Sequence, residues 1–195
     1  MLSQLRQVFQ RRALYLPMLG LALFWSVGQG MLAAFPAYAK AYAHIDNTAV
    51  IQAILACTAL GIAAGAVLVG VNSGGRIRIS WVPMGIVGLS MGLWLLAWLQ
   101  NAWLFALDYF LMGVCSAMLI VPLNALIQLQ MEERSMGATI AGSNLIQNIA
   151  MLSMLGLTIG FSMASFDSRA LLLLMAGLTT VLGALFGLLI VRLRL

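Results

Sequence analysis

The stretch Thr48–Val71 reads TAVIQAILACTALGIAAGAVLVGV, without one charged side chain. Crossing the hydrocarbon core of a bilayer takes a helix of about twenty apolar residues, and this run exceeds that length. Backbone N–H and C=O groups find no water in lipid, so only helices and closed barrels span it. Barrel strands alternate apolar with polar residues, whereas this run is apolar on every side, which selects the helix.

Five more runs of the same character lie outward from it: Ala13–Pro36, Ser80–Leu99, Trp103–Gln128, Gly137–Ala164 and Arg169–Val191. The expected fold is an all-α integral membrane bundle of six transmembrane helices over residues 13–191. The loops His44–Asn47, Asn72–Ile79, Gln100–Ala102, Met131–Met136 and Ser165–Ser168 are too short for an extramembrane domain. Residues 1–12 read as a basic amphipathic lead-in with Leu2, Leu5 and Phe9 toward the lipid, and 192–195 as a basic tail. The first apolar run is too long for a signal peptide's core, and no small-residue cleavage site follows it. Composition excludes a soluble domain. The 195 residues are 63% hydrophobic and 8% charged, with mean hydropathy +1.04, where soluble domains are about a quarter charged.

Lys and Arg set the orientation. Arg6, Arg11, Arg12, Arg76, Arg78, Arg134, Arg192 and Arg194 fall on one side, and only Lys40 and Arg169 on the other. Both termini are therefore expected in the cytoplasm, in a multi-pass protein of a bacterial cytoplasmic (inner) membrane. The same residues account for the net charge of +5 as a topology signal, so no nucleic-acid partner is expected.

Covalent chemistry finds no footing. Cys57 and Cys115 stand alone in apolar runs and read as small, reduced core residues. With His44 as the one histidine, no metal or haem site can be assembled, and no cofactor is expected. Gly88-Leu89-Ser90-Met91-Gly92 fits the Gly-x-Ser-x-Gly pattern of serine hydrolases, but His44 belongs to a loop while Ser90 is mid-span. Small-residue helix packing explains those glycines better. Gly61/Gly65, Gly156/Gly160 and Gly183/Gly187 repeat the same four-residue spacing. No phosphate-binding loop occurs, so ATP coupling within this chain is excluded and the protein is read as a non-enzyme.

Polar residues inside spans carry the functional information, because in lipid they face the bundle or a water-filled path. Asn144, Gln147 and Asn148 share one face of the fifth span, with Asn148 roughly 16 Å from the cytoplasmic end at 1.5 Å per residue. They act either as interhelical glue or as the lining of a cavity; the cavity is favoured, since three amides exceed what one interhelical bond needs. Trp25 and Gln29 share a face of the first span, and the fourth holds Asp108, Ser116, Pro122 and Asn124. Pro122 is expected to kink that helix, with Asn124 helping to satisfy the freed carbonyl. Asp108 is close enough to the outer end for its carboxylate to reach the headgroups, which is the reading favoured, although it stays among the substrate-path candidates.

These residues resemble a family. Six spans with both ends inside equal half of a twelve-span major facilitator transporter. The loop from Gly70 through Gly75, Arg76 and Arg78 resembles that superfamily's cytoplasmic glycine- and arginine-rich motif, with glycine at its acidic position. Pro122-Leu123-Asn124-Ala125-Leu126, Ser135-Met136-Gly137-Ala138 and the run Asn144–Gly156 resemble the second half of the lysophospholipid transporter family. They are equally similar to the related membrane domain of acyltransferase and acyl carrier protein synthetase fusions. Phe24-Trp25 and Phe35–Lys40 resemble the first helix of that half. Some members carry an arginine in that helix where this chain has Met31-Leu32-Ala33, so arginine-based headgroup recognition does not transfer.

The resemblance implies lysophospholipid flipping by alternating access about a midplane site. It also implies a second transporter half or a homodimer, and an acyltransferase that consumes the lipid. The competing readings are a non-transporting membrane scaffold, or a transporter half for another small amphipathic solute.

Overall fold

The computed structural model describes residues 12–131 and 136–192. Among them are six α-helices and no strand: α1 Arg12–Ala43, α2 Thr48–Ser73, α3 Trp81–Leu96, α4 Ala102–Gln130, α5 Met136–Met163 and α6 Ser168–Arg192. Five are long and apolar enough to cross a membrane. The third, α3, has 16 residues and reaches about 24 Å at 1.5 Å per residue. The chain is thus an all-helical, multi-pass membrane bundle, with one span shorter than its apolar sequence run. The lead-in up to Arg11, the stretch Glu132–Ser135 and residues 193–195 lie outside the described residues.

Local chemistry explains the boundaries. Asn47 and Asn101 each hold an extended backbone and accept a hydrogen bond two residues on, from Ala49 N at 2.9 Å and Trp103 N at 2.8 Å. Those bonds satisfy orphan donors at the starts of α2 and α4. Gly74, left-handed at φ 55°, ends α2 where any side chain would strain. One boundary differs from the sequence reading. Helix α1 continues past Pro36 to Ala43, because Ala34, Phe35, Tyr38 and Ala39 are buried on both sides of the proline and packing holds the turn.

Two helices organise the bundle. α4 packs on α1, α2 and α3, while α1 packs on α4, α5 and α6, and α3 meets α6. If the first three helices are exchanged for the last three, these principal pairs map onto themselves: α2–α4 becomes α5–α1, and α3–α4 becomes α6–α1. Each triplet has an odd number of helices, so corresponding helices run in opposite directions.

Glycine sets the tightest crossings. A Cβ on Gly61 would lie 2.0 Å from the carbonyl oxygen of Phe110, and one on Gly113 would lie 2.3 Å from that of Thr58. Gly65 and Gly85 would meet the Val114 and Cys115 carbonyls, each at 2.6 Å. Small residues here bring whole backbones together, which replaces the hydrophobic drive that lipid removes. The Gly156/Gly160 pair departs from expectation, since neither has any atom within 4 Å of an added Cβ. Both cysteines are free and only half-buried, and Gly88 admits the Cys115 side chain into the α3–α4 seam.

Candidate functional site

The chain folds around an aromatic plug. Phe35 on α1 meets Phe105 and Tyr109 on α4 at centroid distances of 5.2 and 4.8 Å. Edge-to-face rings of this kind add to the area they bury. Beyond the plug, Tyr38 donates from its hydroxyl to the carbonyls of Ala97 at 2.9 Å and Leu99 at 3.2 Å. Tyr42 hydrogen-bonds Asp167, and Arg169 lies 4.2 Å above the Trp98 ring. One end of the bundle is therefore laced from α1 to the α3–α4 and α5–α6 loops.

Beneath the plug lies a cavity of about 280 Å³. Its walls are Phe24, Val27 and Met31 of α1, Leu55 and Ile62 of α2, Leu89 and Leu93 of α3, Met112 of α4 and Met151 of α5. Trp25 and Leu32 of α1 and Ala59 of α2 belong to the same lining and are exposed, so the cavity opens beside α1 and α2. Polar lining is sparse: Gln29, Thr58, Ser116 and Tyr109. Ser116 spends its hydroxyl on the Met112 carbonyl at 2.7 Å. The Tyr109 hydroxyl is buried and has no partner.

The structure thus joins three of the sequence candidates, Trp25, Gln29 and Ser116, in one cavity. The amides of α5 fall elsewhere. Asn144 and Asn148 are exposed on that helix's open face, and Gln147 is half-buried and donates to Ser143 Oγ at 2.8 Å. α5 reaches the cavity instead through Met151, one turn from Gln147 on the same face. Asn124 is exposed and donates to the Ile120 carbonyl at 3.0 Å. That carbonyl is not the one Pro122 frees, which belongs to Met118.

Asp108 corrects the reading made for it. It is 4% exposed and does not reach the headgroups. Gly92 lets α3 approach so closely that a Cβ there would sit 3.3 Å from Asp108 Oδ1, and this seals the carboxyl into the α3–α4 seam. Its Oδ2 has no hydrogen-bond partner.

Sequence reasoning missed Tyr109, Met112 and Thr58. Tyr109 and Met112 stand seven and four residues before Ser116, on the stripe that residue already marked. The loop motif lies apart from the cavity, with Gly70 open on α2, Gly75 left-handed at φ 75°, and Arg76 and Arg78 exposed. No group of metal-ligating side chains occurs among the described residues. No protein-family model, curated protein or solved structure matches this chain.

Proposed function

We propose that this chain is one half of a major facilitator-type transporter that moves lysophospholipid across a bacterial cytoplasmic membrane by alternating access. The observation that carries the reading is the cavity's position. An apolar chamber sits inside the bundle and opens beside α2, which with α5 is one of the two long helices least covered by the rest of the chain. Only 22% of the apolar span of α2 and 6% of that of α5 are buried.

A helix that presents Asn144 and Asn148 outward is unsuited to lipid, where polar groups need partners. A second half, or a second copy, supplies the missing wall. The oppositely directed triplets favour the same reading, since each half of such a transporter is built from two inverted three-helix repeats and the two halves rock about a midplane site. The resemblance of residues 122–156 to the lysophospholipid transporter family supplies the substrate, and an acyltransferase is the expected consumer of the flipped lipid.

Reconstitution tests the proposal. Vesicles with labelled lysophosphatidylethanolamine are expected to show flux when the chain is present with its second half or as a dimer. Absence of flux with every such partner, from protein that remains folded, would leave the scaffold reading in its place.

A further inference from the structure

The six helices pack as two groups. α2 and α3 lie on α4, α5 and α6 lie on α1, and the groups meet along α1–α4 and α3–α6. The cavity takes its walls from both: Phe24, Met31 and Met151 from one group, Leu55, Leu89 and Met112 from the other. It therefore lies on the seam, and any motion that parts the groups changes access to it.

One end of that seam is tied by a closed chain of contacts. Arg169, at the start of α6, stacks 4.2 Å above the ring of Trp98, just past the end of α3. Its backbone N–H donates to Asp167 Oδ1 at 3.3 Å, and the Tyr42 hydroxyl donates to Asp167 Oδ2. Phe166 folds back on Phe161 with centroids 4.7 Å apart, which fixes the turn that carries Asp167. Tyr42 stacks on Tyr38 at 5.1 Å. Tyr38 then closes the chain on the Ala97 and Leu99 carbonyls, either side of Trp98. Two arms, Tyr38 and Arg169, cross from one helix group to the other, and the Tyr42–Asp167 pair braces them.

The layers of this end differ in how easily they part. Phe35, Phe105 and Tyr109 of the plug are buried, whereas Trp98 and Asp167 are exposed. Exposed cation–π and polar pairs are individually weak. The plug beneath is made of ring faces and edges, which slide without leaving broken hydrogen bonds between them. Weak links at the rim over a dry plug make a closure that can release.

We infer that this clasp gates the cavity at the end of the bundle that carries Asn47 and Asn101. It is closed in this structure. When the Tyr38 and Arg169 arms let go, the two helix groups part and water reaches the cavity past the plug. The gate lies within one six-helix bundle and needs neither a substrate nor a second half, so it goes beyond the transport reading and stands apart from it.

Gly28 provides the reporter. It lines the cavity, and a Cβ added there has nothing within 4 Å. It lies ten residues before Tyr38, about 15 Å along α1. In the full chain with Cys57→Ala and Cys115→Ala, Gly28→Cys is exposed to a membrane-impermeant trimethylammonium thiol reagent. Right-side-out and inverted membrane vesicles present the two faces in turn. Labelling tracks the population of the open form when opening is faster than reaction. Slow labelling from the clasp face is expected with the clasp intact. Tyr38→Phe should speed it about threefold to tenfold, the worth of one hydrogen bond. Arg169→Gln, on an exposed pair that the fold tolerates losing, should speed it about twofold to fivefold, the worth of one exposed cation–π contact. Rates from the opposite face should not change.

Equal rates from the clasp face with and without the arms would mean that the clasp closes nothing. A rise from both faces would make it a support of the whole fold rather than a gate. The transport reading fails separately, since it is measured by flux: gated labelling in a chain that moves no lysophospholipid in any assembly keeps the clasp and removes the transporter. Flux with ungated labelling does the reverse.

Discussion

At the scale of single residues, the glycines divide into two populations that the sequence does not distinguish. Gly61 and Gly113 hold α2 and α4 at backbone contact, so a methyl on either must push two helices apart. Overpacking of this kind costs about 1 to 3 kcal/mol. Gly156 has the same spacing to its partner as Gly61 but open space around it. Gly156→Ala is expected to stabilise the isolated chain by up to about 1 kcal/mol, the helix preference of alanine over glycine. Thermal unfolding of Gly61→Ala, Gly113→Ala and Gly156→Ala in one detergent checks the contrast. Equal destabilisation by all three would mean that α5 is packed in the free chain as tightly as α2. The lacing at the loop end offers a second check. Tyr38→Phe removes the hydroxyl's bonds to the buried Ala97 and part-buried Leu99 carbonyls, and a loss of about 1 to 3 kcal/mol is expected in the same assay.

At the scale of elements, apolar length was legible because the bilayer imposes it: five of the six expected spans became helices long enough to cross. The exceptions have physical causes. α1 outran Pro36 because buried neighbours on both sides outweigh one lost hydrogen bond, and no local signal encodes those neighbours. The site was legible only in part. Trp25, Gln29 and Ser116 were found as polar or large residues on shared faces, and they do meet in the cavity. Asp108 was misread because its burial is set by a glycine on another helix, which spacing along α4 cannot show.

The amides of α5 mark a real face, but it reaches the cavity only at Met151 and leaves Asn144 and Asn148 uncovered. A distinct expectation follows for Asn148→Leu. In the free chain it breaks no contact of an exposed side chain, so stability should change by less than about 0.5 kcal/mol. In the assembly proposed above it would remove a donor and acceptor from the interface, so association and flux should both fall. Native electrophoresis beside the flux assay separates these effects, and lowered stability of the free chain with association intact would make Asn148 internal glue instead.

At the scale of the whole molecule, α1 and α4 form a shared spine, the cavity opens beside α1 and α2, and α2 and α5 stand with little cover. Topology comes first. From the imbalance of Lys and Arg, both termini and the Arg76/Arg78 loop are expected in the cytoplasm. A cysteine introduced at Asn47 or Asn101 should react with an impermeant reagent from outside, and one at Ser73 should not. Assembly is the larger matter. Lipid does not satisfy polar groups, so the exposed Asn144 and Asn148 need another protein surface across from them. Ala53, Ala56, Ala63 and Ala64 on α2 are exposed and small, which permits a second bundle to approach closely. With Cys57 and Cys115 replaced by alanine, Ala63→Cys and Asn148→Cys should therefore form disulfides between chains in native membranes, either with each other or with cysteines on the corresponding helices of a separate half. A control at Trp103, exposed at the far end of α4, should not. If Ala63→Cys and Asn148→Cys stay unlinked while a single chain in vesicles still carries lysophospholipid, the bundle needs no second wall, and its polar α5 face must be met by water rather than by protein.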